Sequence, residues 1–279
     1  MTITKPSASD RPRLERIYNI CFPGEEEYCR FFFDKVWKPE NTLIAKEKGV
    51  IAAMGHFLDV PMEFDGSRLE GSYLYAAATL PEYRGKGIMS RIIKEGNEAA
   101  AAEGKDISLL ITENDSLFDF YSRLSYKPVF GFSKVACSPE PPFMMCRARM
   151  LLKSDIPSLA FVYESSAAGR LHDSRSEVRW ESILEEYAGR AFGLEAPGGG
   201  LLAYCFMNED CTYAQEVMGA GMGYLLYVCC MDEPKGFGFT LPEAGLSFKP
   251  IGCGLGLSAN GVKALEGRNP LPYINILYN

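Results

Sequence analysis

Apolar side chains recur at 14, 17 and 20 or 21 behind an Asp10 cap in Asp10-Arg-Pro-Arg-Leu-Glu-Arg-Ile-Tyr-Asn-Ile20, the spacing of one helix face. Phe22-Pro23-Gly24 breaks the chain, and a second helix is predicted over Glu26 to Trp37. The period then changes. Runs at 42–47 and 50–60 flank the Lys48-Gly49 turn, and 68–79 follows the Asp65-Gly66 turn, which predicts an antiparallel meander ended by Pro81. Ile88, Ile92, Ile93 and Ala99 return to helical intervals across Gly87 to Ala102, with Gly104 as the C-terminal stop. Residues 106–112 form a short, largely apolar run of the kind expected from a strand buried on both faces. A capped helix over Asp115 to Leu124 and a strand near 127–136 complete the set. This order predicts a mixed α/β unit with a parallel crossover from the 73–79 strand to the 107–112 strand.

Consecutive prolines cannot sit inside a helix or donate to a sheet, so Ser138-Pro139-Glu140-Pro141-Pro142 reads as a connection. The boundary is placed at 138–148, dividing the chain into 1–140 and 141–279. A similar order then recurs. Helices are expected from Ser154 and across Glu177 to Tyr187, strands at 190–195, 201–207 and 212–218, and a glycine-rich segment runs from Gly219 to Cys230. The fold class read from this pattern is α/β, with an α+β mixed sheet in two tandem units, the second degenerate.

Composition narrows the function. The 29 basic and 36 acidic residues give a net charge of -7 with no Lys/Arg block to track phosphodiesters, so no nucleic-acid partner is expected. No apolar stretch approaches the roughly 18 residues of a spanning helix, so neither a membrane nor a targeting role is expected. Nine cysteines include no C-x-x-C pair and no neighbouring His cluster, from which we expect no metal and a cytoplasmic chain with reduced thiols.

The chemistry concentrates in Tyr83-Arg84-Gly85-Lys86-Gly87-Ile88-Met89-Ser90, between a strand and a helix. The first amides of a helix have no internal acceptor and face an anion, glycines let a diphosphate approach the backbone, and the helix dipole favours its charge. Arg84 and Lys86 add positive charge. A third glycine at 90 would be needed for the dinucleotide pattern and is Ser90, and the P-loop pattern is absent. A solvated surface turn is the plain structural alternative.

The run Ala77-Ala78-Thr79-Leu80-Pro81-Glu82-Tyr83-Arg84-Gly85-Lys86-Gly87-Ile88-Met89 resembles the CoA-binding motif of the GCN5-related N-acetyltransferases (GNAT), [RQ]-x-x-G-x-[GA], with Met89 at the position of the usual Gly or Ala. That exchange, and the tandem organisation, resemble the enhanced-intracellular-survival (Eis) branch, here without a clear sterol-carrier-like domain. The resemblance implies acetyl-CoA as cosubstrate. It implies that Ala77, Ala78 and Thr79 pair with the pantetheine arm, that Arg84, Gly85, Lys86, Gly87, Ile88, Met89 and Ser90 hold the diphosphate, and that Asn114 contributes a further cofactor contact. Phe120-Tyr121-Ser122-Arg123-Leu124-Ser125-Tyr126 resembles the family's F-Y-x-x-x-G-[FY] segment, which implies Tyr121 as general acid toward the CoA sulfur, with Ser125 in place of glycine and Tyr126 as packing. The carboxylate of Asn279 is the base implied by the same branch. His56 is read as a satisfied strand residue, and His172 belongs to no motif.

The resemblance implies an N-acetyltransferase that transfers acetyl to a primary amine by direct attack in a ternary complex. The acceptor is a small molecule or a lysine-type amine, and homo-oligomers are common in the family. The alternative is a non-catalytic acyl-CoA-binding or regulatory module. Glu25-Glu26-Glu27 read either as an acidic rim for a cationic amine or as the first turn of a helix complementing its dipole. In the second unit, Gly219-Ala-Gly-Met-Gly223 stands in the corresponding strand-to-helix place without Arg or Lys, so no second CoA site is expected.

Overall fold

The computed structural model describes residues 1–112, 114–141, 145–230, 236–243, 246–266 and 271–275. Two compact units emerge, and they are not consecutive halves. The first comprises Met1–Val60, Leu69–Pro128 and Cys253–Lys263; the second comprises Pro61–Arg68, Val129–Gly252 and Ala264–Asn279. The switch after Pro128 falls earlier than the Pro-rich stretch, and the strand expected near 127–136 mostly enters the second unit.

In the first unit, β1 (Thr2–Thr4) precedes α1 (Arg11–Cys21) and α2 (Glu26–Phe31), which continues as a π-turn through Val36. The meander is β2 (Thr42–Glu47), β3 (Val50–Phe64) and β4 (Ser67–Thr79). Lys48 and Gly49 both take left-handed conformations, φ 49° and 83°, which fits the tight reversal between β2 and β3. The helix α3 (Ile88–Ala102) crosses to β5 (Ile107–Ile111), and α4 (Asp115–Ser122) follows. Strands lie in the order β1-β2-β3-β4-β5, with β4 and β5 parallel as the crossover requires. α3 buries Ile88, Ile92, Ile93, Gly96 and Ala100. At Gly96 a Cβ would stand 1.9 Å from the Phe57 ring, so glycine lets the helix settle onto β3.

The remainder of the chain forms β6 (Lys127–Ala136), β7 (Arg147–Met150), α5 (Ile156–Ala167), β8 (His172–Asp173), α6 (Glu177–Glu186), β9 (Ala191–Glu195), β10 (Leu201–Met207), β11 (Tyr213–Gly219), α7 (Met222–Cys229), β12 (Phe237–Thr240), β13 (Phe248–Gly256) and α8 (Ala259–Glu266). Its strands run β6-β12-β11-β10-β9-β7. β7 begins within the boundary placed at 138–148, where Arg147–Met150 pairs antiparallel with β9. The last residues of β13 and the start of α8 return to the first unit, next to β5. There Leu257 donates its amide to the Asp106 carbonyl at 2.8 Å and the Ser258 hydroxyl donates to the Asp106 carboxylate at 2.6 Å.

The second core is centred on a buried ion-pair network. Arg175 donates through Nε to Asp173 at 2.9 Å and through both terminal nitrogens to Glu216 at 2.7 and 2.8 Å. Tyr204 and Tyr273 donate to the same Glu216 carboxylate at 2.9 and 2.7 Å, and Tyr163 donates to Asp173 at 2.7 Å. The guanidinium lies 4.0 Å from the Tyr163 ring centroid and 5.0 Å from that of Trp180. Buried charges persist when every polar atom has a partner, and here nearly all do.

Candidate active site

The strand-to-helix loop owes its shape to two glycines. Gly85 (φ 73°) and Gly87 (φ 71°) are left-handed, with no atom near either Cβ position, so glycine is required there by backbone conformation and not by space. Gly87 caps α3 without a side-chain bond, and the first helical bond is donated by Arg91 to the Gly87 carbonyl at 3.2 Å. The amides of Ile88, Met89 and Ser90 consequently have no acceptor within the helix. Arg84 turns back, donating Nε to the Thr79 carbonyl at 3.0 Å, and Lys86 donates to the Glu82 carbonyl at 3.1 Å while lying over the Tyr83 ring. Both cations therefore brace the loop, leaving the main-chain amides as its anion-facing groups. Met89 packs its side chain against two apolar clusters of the unit, which accounts for a large residue at this position.

Upstream of the loop, β4 bends. Ala76 takes φ 45°, left-handed within an otherwise extended strand and costly for a residue with a Cβ. The ladder to β5 runs from Gly71↔Ile107 to Tyr73↔Leu109 and goes no further among the described residues. The segment Ala77–Thr79 lies beyond that ladder. The Thr79 hydroxyl is buried without a hydrogen-bond partner among the described residues.

Tyr121 near the end of α4 is buried and belongs to one apolar cluster with Leu74, Ile93, Leu110, Tyr126 and Cys253, against which Ala77 and Met89 pack. The structure thus brings the bent strand, the start of α3 and Tyr121 together. Its hydroxyl makes no hydrogen bond among the described residues. Burial, reinforced by Tyr126, raises its pKa and keeps the hydroxyl protonated at neutral pH. Asn114 caps α4: its Oδ1 accepts from the Ser116 amide at 3.0 Å and the Ser116 hydroxyl at 2.7 Å. Ser125 takes φ 70°, the conformation a glycine would supply in that turn. Tyr126 does more than pack. Its hydroxyl meets Ser108 of β5 at 2.6 Å and Asn97 of α3 at 3.1 Å, fixing the turn behind Tyr121 to both elements. Ser108 and Asn97 carried no sequence signal, being single polar residues in apolar patterns. Asn279 lies outside the described residues.

A second group of residues flanks the bend. Tyr75, adjacent to Ala76, shares a hydrogen bond of 2.8 Å with Tyr18, and Tyr18 donates to the Glu25 carboxylate at 3.0 Å. Tyr28 and Phe32 lie against Tyr75 at 6.4 and 4.7 Å between centroids. Burial raises the pKa of both Tyr18 and Tyr75, so this chain of hydroxyls is neutral. Of the acidic triplet, Glu26 and Glu27 occupy the first turn of α2, whereas Glu25 accepts from Tyr18. His56 is wholly buried. Its Nδ1 bonds Thr42 at 2.9 Å, its Nε2 has no partner among the described residues, and desolvation pushes its pKa down to about 3, too low for it to act as a base near neutral pH.

In the second unit Gly219 (φ 100°) and Gly221 (φ 85°) repeat the left-handed loop, with Gly221 capping α7. The Gly223 carbonyl accepts from the Ser138 amide at 2.8 Å.

No curated protein sequence matches this chain. A family model described as "Acetyltransferase (GNAT) domain" matches residues 2–129. Among solved structures, a conserved protein of unknown function and probable N-acyltransferase from Enterococcus faecalis V583 aligns with a TM-score of 0.72 at 13% identity, over 93% of this chain and 73% of its own. A GCN5-related N-acetyltransferase from Kribbella flavida gives 0.70 at 14% identity over 95% and 73%, and Eis1 from Mycobacterium abscessus gives 0.64 at 12% over 92% and 74%. At such identities these structures establish the fold, and they do so across both tandem units. The chain carries, over residues 2–129, an acetyltransferase domain of the GNAT superfamily and is an acyltransferase.

Proposed function

We propose that the first unit transfers the acetyl group of acetyl-CoA to a primary amine by direct attack in a ternary complex. The observation that carries this reading is the convergence of the bent strand at Ala76, the glycine-capped start of α3 and Tyr121 on one cluster. In this reading the diphosphate rests on the amides of Ile88–Ser90, within the loop Arg84, Gly85, Lys86 and Gly87 that Arg84 and Lys86 brace. The pantetheine arm pairs with the backbone of Ala77, Ala78 and Thr79, and Asn114 lies at the cap of α4 nearby in sequence. The neutral amine nitrogen attacks the thioester carbon and a β4 amide holds the oxyanion; the nitrogen loses its proton to solvent, the C–S bond breaks as the Tyr121 hydroxyl gives its proton to the sulfur, and the tyrosinate takes a proton back from solvent.

The acceptor amine enters against Tyr75 and Tyr28, with Glu25 as its anionic anchor, which suits a cationic small molecule or a lysine side chain. No described helix is long and apolar enough to cross a membrane, and the nine cysteines, each unbridged, support a reducing cytoplasmic setting. The test is release of CoASH from acetyl-CoA across a panel of polyamines, aminoglycosides and lysine peptides. Acceptor-dependent release is expected; calorimetric binding of CoA without any release would favour a non-catalytic acyl-CoA-binding module.

A further inference from the structure

Away from the acetyl-transfer elements, the second unit gathers a histidine and two carboxylates within ligand distance of one another. β3 and β8 pair antiparallel, with Glu63 opposite His172 and Met62 opposite Asp173. Side chains alternate across a sheet, so Glu63 and His172 share a face while Asp173 turns toward Arg175. α5 adds Glu164, whose Oε2 lies 2.9 Å from His172 Nε2. His172 Nδ1 lies 2.9 Å from the Arg170 carbonyl, which can only accept, so Nδ1 carries a proton. A neutral imidazole then aims a lone pair at a carboxylate, acceptor against acceptor. The carboxylate of the half-buried Glu63 has no hydrogen bond or ion pair among the described residues, and it, the carboxylate of Glu164 and the His172 ring each offer an atom within 4.8 Å of the other two.

We propose that Glu63, Glu164 and His172 bind a divalent first-row metal ion of octahedral preference, such as Mn2+. The nitrogen–oxygen separation of 2.9 Å subtends about 90° at an ion about 2.1 Å from each, the angle between neighbouring ligands of an octahedron and narrower than a tetrahedral site prefers. The Arg170 carbonyl supplies the outer hydrogen bond that fixes a ligating histidine in one tautomer. The Glu164 side chain is 39% exposed, which leaves a path for the ion and positions for water ligands. The cysteine spacing that argued against zinc does not bear on this cluster, which contains no cysteine. The ion ties together the end of β3, β8 and α5 and stabilises the second unit, independently of acetyl transfer.

The test is Mn2+ binding to the chelator-treated full-length chain, followed by electron paramagnetic resonance of the free ion and by calorimetry; Mn2+ is the probe because thiols are poor ligands for it. One ion per chain is expected, with a metal-dependent rise in Tm. Glu63→Gln, at a side chain without a partner, should weaken binding at least about tenfold while leaving the unfolding of the metal-free chain unchanged. Glu164→Gln should weaken binding by a similar factor, and covers the case in which the first variant folds poorly. A single proton on Nε2 would also bridge His172 to Glu164. Absence of saturable binding, or binding unaffected by both variants, would assign the cluster to that imidazolium pair and overturn the proposal.

Discussion

Replacing Arg175 with methionine should destabilise the second unit by about 3–5 kcal/mol, the usual cost of removing one partner from a buried ion pair. The magnitude follows from what remains. The Arg175 side chain is 0% exposed and its removal deletes three donors, leaving the carboxylates of Glu216 and Asp173, 0% and 5% exposed, with only tyrosine hydroxyls as partners. Against a typical domain stability of about 5–15 kcal/mol this is a third or more of the total. The chain has two tryptophans, Trp37 in the first unit and Trp180 in the second, with Trp180 against the guanidinium. Urea titrations followed by fluorescence in a Trp37→Phe background therefore report the second unit. The double variant Arg175→Met/Glu216→Met should recover a large part of the loss, since an apolar replacement removes the stranded charge along with its partner. A loss below about 1 kcal/mol for the single variant would refute the reasoning, because it would mean the carboxylates are solvated or paired elsewhere.

At Gly87, alanine meets no atom but must hold φ 71°, so Gly87→Ala should cost about 1–2 kcal/mol and weaken CoA binding, read by thermal unfolding and calorimetry; an unchanged affinity would detach the loop from the cofactor. Gly96→Ala places a methyl into the Phe57 ring and should cost about 1–3 kcal/mol, seen as a lower Tm. His56 titrates near 6.5 in the unfolded chain and at about 3 when folded, so its contribution is complete above pH 6.5 and falls as the unfolded state alone takes up the proton. The loss is about 1.4 kcal/mol per pH unit between those values. His56→Phe should accordingly flatten the stability profile between pH 6.5 and 4.5 by about 2–3 kcal/mol; parallel profiles would contradict a buried neutral imidazole.

Much of the first unit was legible because glycine and proline punctuate it: Lys48-Gly49, Asp65-Gly66, Pro81 and Gly104 separate elements whose hydrophobic periods are unambiguous. The loop from Gly85 to Ser90 was legible for the same reason. Three features were not. The left-handed bend at Ala76 sits on a residue that gives no such signal, since tertiary structure holds it there. The chain from Tyr75 through Tyr18 to Glu25 joins residues far apart in sequence. The return of Cys253–Lys263 to the first unit depends on Ser258 and Gly261 meeting Asp106, a non-local fit that local periodicity does not encode. β7 escaped notice because its four residues alternate too briefly to stand out beside a proline run.

The central claim is that Tyr121 delivers a proton to the departing CoA sulfur, and the direct measurement is turnover of Tyr121→Phe beside the unaltered chain, with the best acceptor amine and with CoA affinity measured in parallel. Removing the hydroxyl should lower kcat by about 10²–10⁴-fold while CoA affinity stays unchanged. Equal turnover with unchanged affinity would show that Tyr121 is a packing residue and that the acid lies elsewhere.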